Sequence, residues 1–282
     1  MLHHKKDASG SLLSRLFLYL RVTLQLGLYS SLCLAAASQP LWADTACSSQ
    51  RYDETTSIRY IHDGDTLHLK DGRKVRLIGI NTPEVAHGEK TAEPFSYQAR
   101  DALRALFGDD NTISLIYGDE RYDRYKRLLA HAFTADGENI QAKLLKQGLA
   151  RAVTFPPNTR FSACYKQQER NARCARAGLW KNMPLLSAKY IADKDIGFQL
   201  VMGKLNHINI NRKGIWLKLD NRLTVGIRPG DQPQFDIDTI FALSDKNIVV
   251  RGWLNKSKKN TPYYMRIRHP SSIQPAEVFA CD

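Results

Sequence analysis

The chain has 282 residues, 43% of them hydrophobic, which is enough for one large or two small cores and excludes an intrinsically disordered chain. Its 41 basic against 28 acidic residues give a formal net charge of +13. That surplus favours a polyanionic partner, either nucleic acid or an anionic membrane surface, and argues against a cationic one.

Lys5, Lys6, Arg15 and Arg21 precede an apolar run from Leu26 to Ala37. A membrane span needs ~20 residues, so this run is too short to cross and fits the core of a signal peptide. Leu41-Trp42-Ala43 before Asp44 reads as a cleavage site, with cleavage after Ala37 as its competitor. The expectation is a signal peptide over 1–43, a linker over 44–55, and export to the periplasm or the medium. The alternative is an uncleaved inner-membrane anchor starting near Leu16, the one case in which a membrane would be a partner. Without the four basic and one acidic residues of 1–43, 37 basic stand against 27 acidic, a surplus of +10. Cys33 would leave with the leader. Cys47, Cys164, Cys174 and Cys281 remain, an even number that suits disulfides in an oxidising compartment and allows three pairings.

From Ile58 the chain alternates as a strand. Thr66–Leu69 and Lys74–Ile80 flank Asp71-Gly72, a strong hairpin signal. Phe95–Phe107 has helical spacing, with Ala99, Ala102, Leu103 and Leu106 on one side. Ile113–Tyr117 and Leu128–Phe133 read as strands, Ile140–Gln147 as a helix closed by Gly148, and Pro156-Pro157-Asn158 as a loop before a last helix. After a linker over 183–195 the texture changes. Gln199–Ile210, Gly214–Leu219, Leu223–Ile227, Ile248–Leu254 and Tyr263–Ile267 are short strands with one helical interruption, which suggests a second small β-rich, OB-like domain over 196–282. There Lys256, Lys258 and Lys259 interleave with Tyr263, Tyr264, Arg266 and Arg268. Such a pattern can build a single-strand-binding face, but a solvated hairpin with its aromatics in the core is the simpler expectation.

Chemistry concentrates in Asp63-Gly64-Asp65-Thr66, Arg76, Asn81-Thr82-Pro83-Glu84 and Asp123-Arg124-Tyr125-Lys126-Arg127. Carboxylates hold a hard divalent cation through oxygen, a carboxylate activates water, and guanidinium groups neutralise charge on phosphoryl oxygens. This is the inventory of a phosphodiester hydrolase. No His pair at metal-ligand spacing, Gly-rich phosphate loop or Ser-His-Asp order competes with it.

These motifs, with Leu144-Leu145-Lys146-Gln147-Gly148-Leu149-Ala150 and Ala177-Gly178-Leu179-Trp180, resemble the staphylococcal-type thermonucleases from about Thr56 to Asn182. The resemblance implies a mainly β, α+β fold, with an OB-type five-stranded barrel carrying three helices over 56–182. It also implies calcium-dependent cleavage of DNA and RNA. By this likeness Asp65 binds the metal directly, Asp63 sits in its outer shell, and Gly64 lets both acids turn toward one cavity. Thr82 offers a carbonyl. Asn81 departs from the family, which commonly has Asp there, so one weakly held Ca2+ is expected. Glu84 orients or deprotonates the water, and Arg76 and Arg127 grip the scissile phosphate. Arg124 and Tyr125 contact a terminal phosphate, Arg151 adds a phosphate contact, and Phe155 stands in for a base-stacking aromatic. The family pattern also suggests one helix over Ser162–Cys174, which would hold Cys164 and Cys174 ~15 Å apart. Exported relatives imply the pairs Cys47–Cys164 and Cys174–Cys281. The second domain looks like an accessory domain found after some exported thermonucleases. DNA and RNA are the expected partners, with no stable protein partner. The rival reading is a non-catalytic nucleic-acid-binding module or envelope adaptor of the same fold.

Overall fold

In the computed structural model, which describes residues 47–107, 111–258 and 261–281, the alternating apolar residues close two barrels. The expected signal segment over 1–43 lies outside the described residues. In the first barrel, β1 (Glu54–Ile61), β2 (Thr66–Leu69), β3 (Lys74–Leu77), β5 (Thr112–Tyr122) and β6 (Leu128–Phe133) close in the order β1-β2-β3-β6-β5. The β3–β6 pairing is parallel and the others are antiparallel. Gly72, at φ 91°, makes the β2–β3 turn. Leu67, Leu69, Val75, Leu77, Ile113 and Leu115 fill the interior.

The expected strand Lys74–Ile80 is split. Gly79 takes φ 85°, and a side chain there would meet the Tyr165 ring at 2.4 Å. The chain therefore bends, and β4 (Ile80–Asn81) leaves the barrel to pair with β7 (Arg151–Ala152). Three helices brace this barrel: α1 (Ser96–Ala105), α2 (Ile140–Lys146) and α3 (Ser162–Cys174). Ala99 and Leu103 bury one face of α1, Asn139 caps α2 by accepting the Ala142 N–H, and Gly148 follows its end at φ 70°.

The second barrel repeats the connection. Its strands are β9 (Gly197–Asn211), β10 (Gly214–Leu219), β11 (Leu223–Ile227), β12 (Asn247–Lys256) and β13 (Tyr263–Arg266). They run β9-β10-β11-β13-β12 and return to β9 through eight residue pairs, with β11–β13 parallel and the short α4 (Ile237–Phe241) between the third and fourth strands. This is the strand order of the first barrel, so the OB-like expectation rests on topology as well as on texture. β8 (Leu186–Ser187) and β14 (Ile273–Pro275) extend the sheet at either edge. Tyr263 is buried, Lys256 pairs with Asp193, and Arg266 pairs with Asp231. The interleaved charges and aromatics are thus largely spent on structure, and Lys259 lies outside the described residues.

The barrels share a buried seam. Ala172 and Trp180 pack with Leu200, Val249 and Phe279, beside α5 (Ala276–Phe279). The disulfides join Cys47 to Cys164 and Cys174 to Cys281, with Cα separations of 5.6 and 5.2 Å. The second of these ties the last residues of the accessory barrel to the end of α3.

Under the first barrel, Asn139 Nδ2 donates to the Tyr165 hydroxyl, which lies 2.9 Å from His131 Nδ1. The hydroxyl's own proton is then free to go to the imidazole, which stays neutral. Burial lowers the His131 pKa to about 3. The folded value lies below the unfolded one, so the unfolded chain takes up the proton first. The stability this contributes is complete above pH ~6.5 and is withdrawn as pH falls toward 3, at up to ~1.4 kcal/mol per unit. Urea melts between pH 6 and 5, above the main carboxylate range, should show this slope in the native chain and a flatter one in His131→Gln. Equal slopes would remove His131 from the account.

Candidate active site

Asp63 and Asp65 occupy the turn between β1 and β2, and both are buried. Asp63 Oδ1 accepts the Asp65 N–H at 2.9 Å, which fixes the turn. Gly64 acts differently from expectation. It has no left-handed φ, but a Cβ there would lie 2.7 Å from Thr82 Cγ2 and 2.8 Å from Ala99 Cβ. Its role is clearance, letting α1 and the Thr82 loop close over the acids.

Donors from three elements hold Asp65. Its Oδ2 accepts the Thr82 N–H at 2.9 Å and lies 3.0 Å from an Arg76 guanidinium nitrogen, while the Thr66 hydroxyl donates to Oδ1 at 3.2 Å. Register explains the encounter: Thr66 on β2 stands opposite Arg76 on β3. Arg76 also donates to the Leu77 carbonyl at 2.6 Å, so its planar fork is aimed from both ends.

Arg127 reaches the same place from the turn between β5 and β6. Asp123 accepts the Tyr125 and Arg127 N–H groups at 2.9 Å each and the Arg127 Nε at 2.7 Å. Burial works against that carboxylate, but the Arg127 bonds outweigh it and hold its pKa below the usual range. Arg127 Nη1 lies 3.4 Å from the Thr66 hydroxyl, completing a chain from Arg127 through Thr66 to Asp65. Glu84 is exposed at the mouth, and its loop is closed by the Glu93 N–H donating to the Glu84 carbonyl at 2.9 Å. Partial desolvation and then the Asp65 charge raise the Glu84 pKa, with Arg76 and Arg127 opposing.

Burial and the adjacent Asp65 carboxylate raise the Asp63 pKa as well. With both acids ionised, the one guanidinium in direct contact would leave a surplus of negative charge that a hard cation could offset. Among the described residues no cluster of three or more His, Cys, Asp or Glu is arranged to hold a metal. An ion here would therefore need neutral oxygens beside Asp65. Thr82, whose N–H already bonds Asp65, directly follows β4, and Asn81 is the last residue of that strand.

The other expected residues divide into two groups. Arg124 and Tyr125 form an exposed rim joined to Arg127: Arg124 donates to the Tyr125 hydroxyl at 2.7 Å, and both guanidinium groups lie over the Tyr125 ring, at 4.7 and 5.6 Å. Arg151 stands opposite Asn81 in the β4–β7 pair, half-buried, with its Nε lacking a partner. Phe155 instead faces the second barrel, 5.7 Å from Trp253 and 5.5 Å from the Arg268 guanidinium. Sequence reasoning missed Thr66 as the relay between Arg127 and Asp65, and Asp123 as the holder of Arg127. The second was available in the Asp-x-x-x-Arg spacing. Nothing in the sequence marks Glu93.

The sequence model of the family described as staphylococcal nuclease homologue matches residues 74–182, a span that holds Arg76, Glu84 and Arg127. The chain is 32% identical over 131 residues to the thermonuclease of Staphylococcus intermedius, covering 45% of this chain and 77% of that protein. It is 30% identical over 137 residues to the thermonuclease of Staphylococcus hyicus, covering 48% and 80%. With endonuclease YncB of Bacillus subtilis strain 168 the identity is 31% over 122 residues, covering 42% and 57%.

Proposed function

Because the chain belongs to the staphylococcal nuclease family, we propose that it is an exported, metal-dependent endonuclease hydrolysing phosphodiester bonds of DNA and RNA with little sequence preference. The observation that carries this reading is the convergence of Asp65, Arg76 and Arg127 through the Thr66 hydroxyl, with Glu84 at the mouth. Asp65, with oxygens of Asn81 and Thr82, would hold one Ca2+, and Asp63 would support it from behind. When bound, such an ion polarises a phosphoryl oxygen.

The remaining work falls to side chains. Glu84 orients a water toward phosphorus and takes its proton. Arg76 and Arg127 donate to the non-bridging oxygens as charge builds there. Tyr125 and Arg124 hold the neighbouring phosphate, and the 5′ oxygen leaves. Attack by water needs no 2′-hydroxyl, so either sugar is acceptable. Two disulfides and the secreted-type leader favour an oxidising compartment.

The test is cleavage of single-stranded DNA by the purified protein across a calcium titration. Chelator should abolish turnover, and Asn81→Asp, which adds a charge to the donor set, should lower the calcium midpoint severalfold. Full activity in excess chelator would end the metal-dependent reading.

A further inference from the structure

A small cleft, open to solvent, lies between the barrels. One wall is Val153-Thr154-Phe155, which follows β7; the other comes from β9, β12, the end of β13 and the segment after it. Its contents are unlike a structural seam. Phe155 and Trp253 leave 40% and 42% of their surface in water, with ring centroids 5.7 Å apart, and Phe198 lies edge-on to Trp253 at 4.9 Å. None of the lining residues is acidic.

Two of the three lining arginines are committed to protein carboxylates, Arg251 to Glu169 and Arg266 to Asp231. Arg268 is exposed, and its partner here is the Phe155 ring. At the other end of the same stretch, Arg151 carries a buried Nε without a partner and lies 6.0 Å from the Phe198 ring. Phe155 lies four positions after Arg151, at most ~14 Å of chain. Arg151 itself stands beside Asn81, next to the acids. Cation, exposed aromatic pair and second cation thus follow one another away from the catalytic turn.

We propose that this cleft is a subsite for single-stranded polynucleotide, extending the substrate path of the first barrel onto the second. A base stacks on the Phe155–Trp253 pair, Arg268 binds the adjoining phosphate, and Arg151 binds a phosphate nearer the scissile bond. Stacking on protein aromatics needs a base that is splayed out, which single strands supply and duplex does not. The accessory barrel therefore sets a preference for single strands. The subsite deepens the nuclease reading and rests on it for the direction of the path, but not for its own chemistry.

The experiment measures binding of a fluorescent single-stranded 12-mer and of its duplex to the full chain by anisotropy, with cleavage by the native chain followed in parallel. Trp253→Ala and Arg268→Ala are each expected to weaken single-strand binding about tenfold or more, with the duplex changed less than twofold. Trp253→Phe should retain affinity. Arg268→Ala should also flatten the salt dependence of single-strand binding by about 0.7 in log–log slope, which a merely structural role would not do. Single-strand affinity unchanged within twofold in both variants, while the native chain still cleaves, overturns the subsite and leaves the nuclease standing. Weakened binding in a chain that does not cleave supports the subsite and overturns the nuclease reading.

Discussion

Glutamine at position 84 is expected to lower kcat on single-stranded DNA by about 10²–10⁴-fold with KM little changed, the range for removing a positioned general base. The substitution isolates the carboxylate's chemistry. Glu84 is exposed, and the two hydrogen bonds that fix its loop run through its backbone, from its N–H to Glu93 and from the Glu93 N–H to its carbonyl. Glutamine preserves both and the side-chain shape, so folding is not at stake. What goes is an oxygen able to accept a proton, in a position where Asp65, Arg76 and Arg127 already set the local field. Arg76 and Arg127 stay in place on Asp65 and Asp123, so substrate binding persists. Single-turnover rates with saturating substrate and calcium give the answer. A loss smaller than tenfold would make Glu84 a spectator and shift the search for the base to Asp63.

Much of this site was legible because its residues sit on short-range devices. A turn places Asp63 and Asp65, a hairpin register places Thr66 against Arg76, and one Asx-type loop places Arg127. Each is fixed within ten or so residues, where spacing carries information. The two barrels were legible for a similar reason: alternation marks strands, and turn residues mark their ends. The sequence could not show which strand would close onto which, nor that Gly79 would yield to the Tyr165 ring and split a strand. Gly64 was misread because a lack of room leaves no local trace; its constraint comes from Ala99, thirty-five positions away. The seam was illegible for the same reason. Phe155 meets Trp253, and Glu169 meets Arg251, across separations of about 80 to 100 residues. Charged residues in a basic chain read as surface, and these are not on it.

That hidden charge leads to the largest expected change in stability. Glu169 is fully buried on α3, and Arg251 Nη1 on β12 donates to both its oxygens, at 2.9 and 2.7 Å, and to the Ala152 carbonyl at 2.9 Å. Glu169 also accepts the Ala152 N–H at 2.8 Å, and Arg173 lies 3.8 Å away, donating from Nε to the Phe279 carbonyl at 3.0 Å. One carboxylate thus serves two buried guanidinium groups, the end of β7 and the barrel seam together. Glu169→Gln removes the only negative charge from this set. The two arginines then repel one another without a counter-ion, at a cost of about 3–5 kcal/mol, because the penalty is that of unpaired buried charge. For a chain of this size that is roughly a 10 °C fall in Tm. Arg251→Met alone should cost less, because the carboxylate keeps the Ala152 N–H and has Arg173 3.8 Å away. The double variant should lose clearly less than the two singles combined, since an apolar side chain tolerates a neutral partner and Arg173 keeps its carbonyl. Thermal melts of the four chains under oxidising conditions, with Cys174–Cys281 intact, measure this coupling. Simple additivity would mean that the ion pair contributes nothing as a pair, and that hydrophobic burial around Trp180 and Phe279 holds the barrels together by itself.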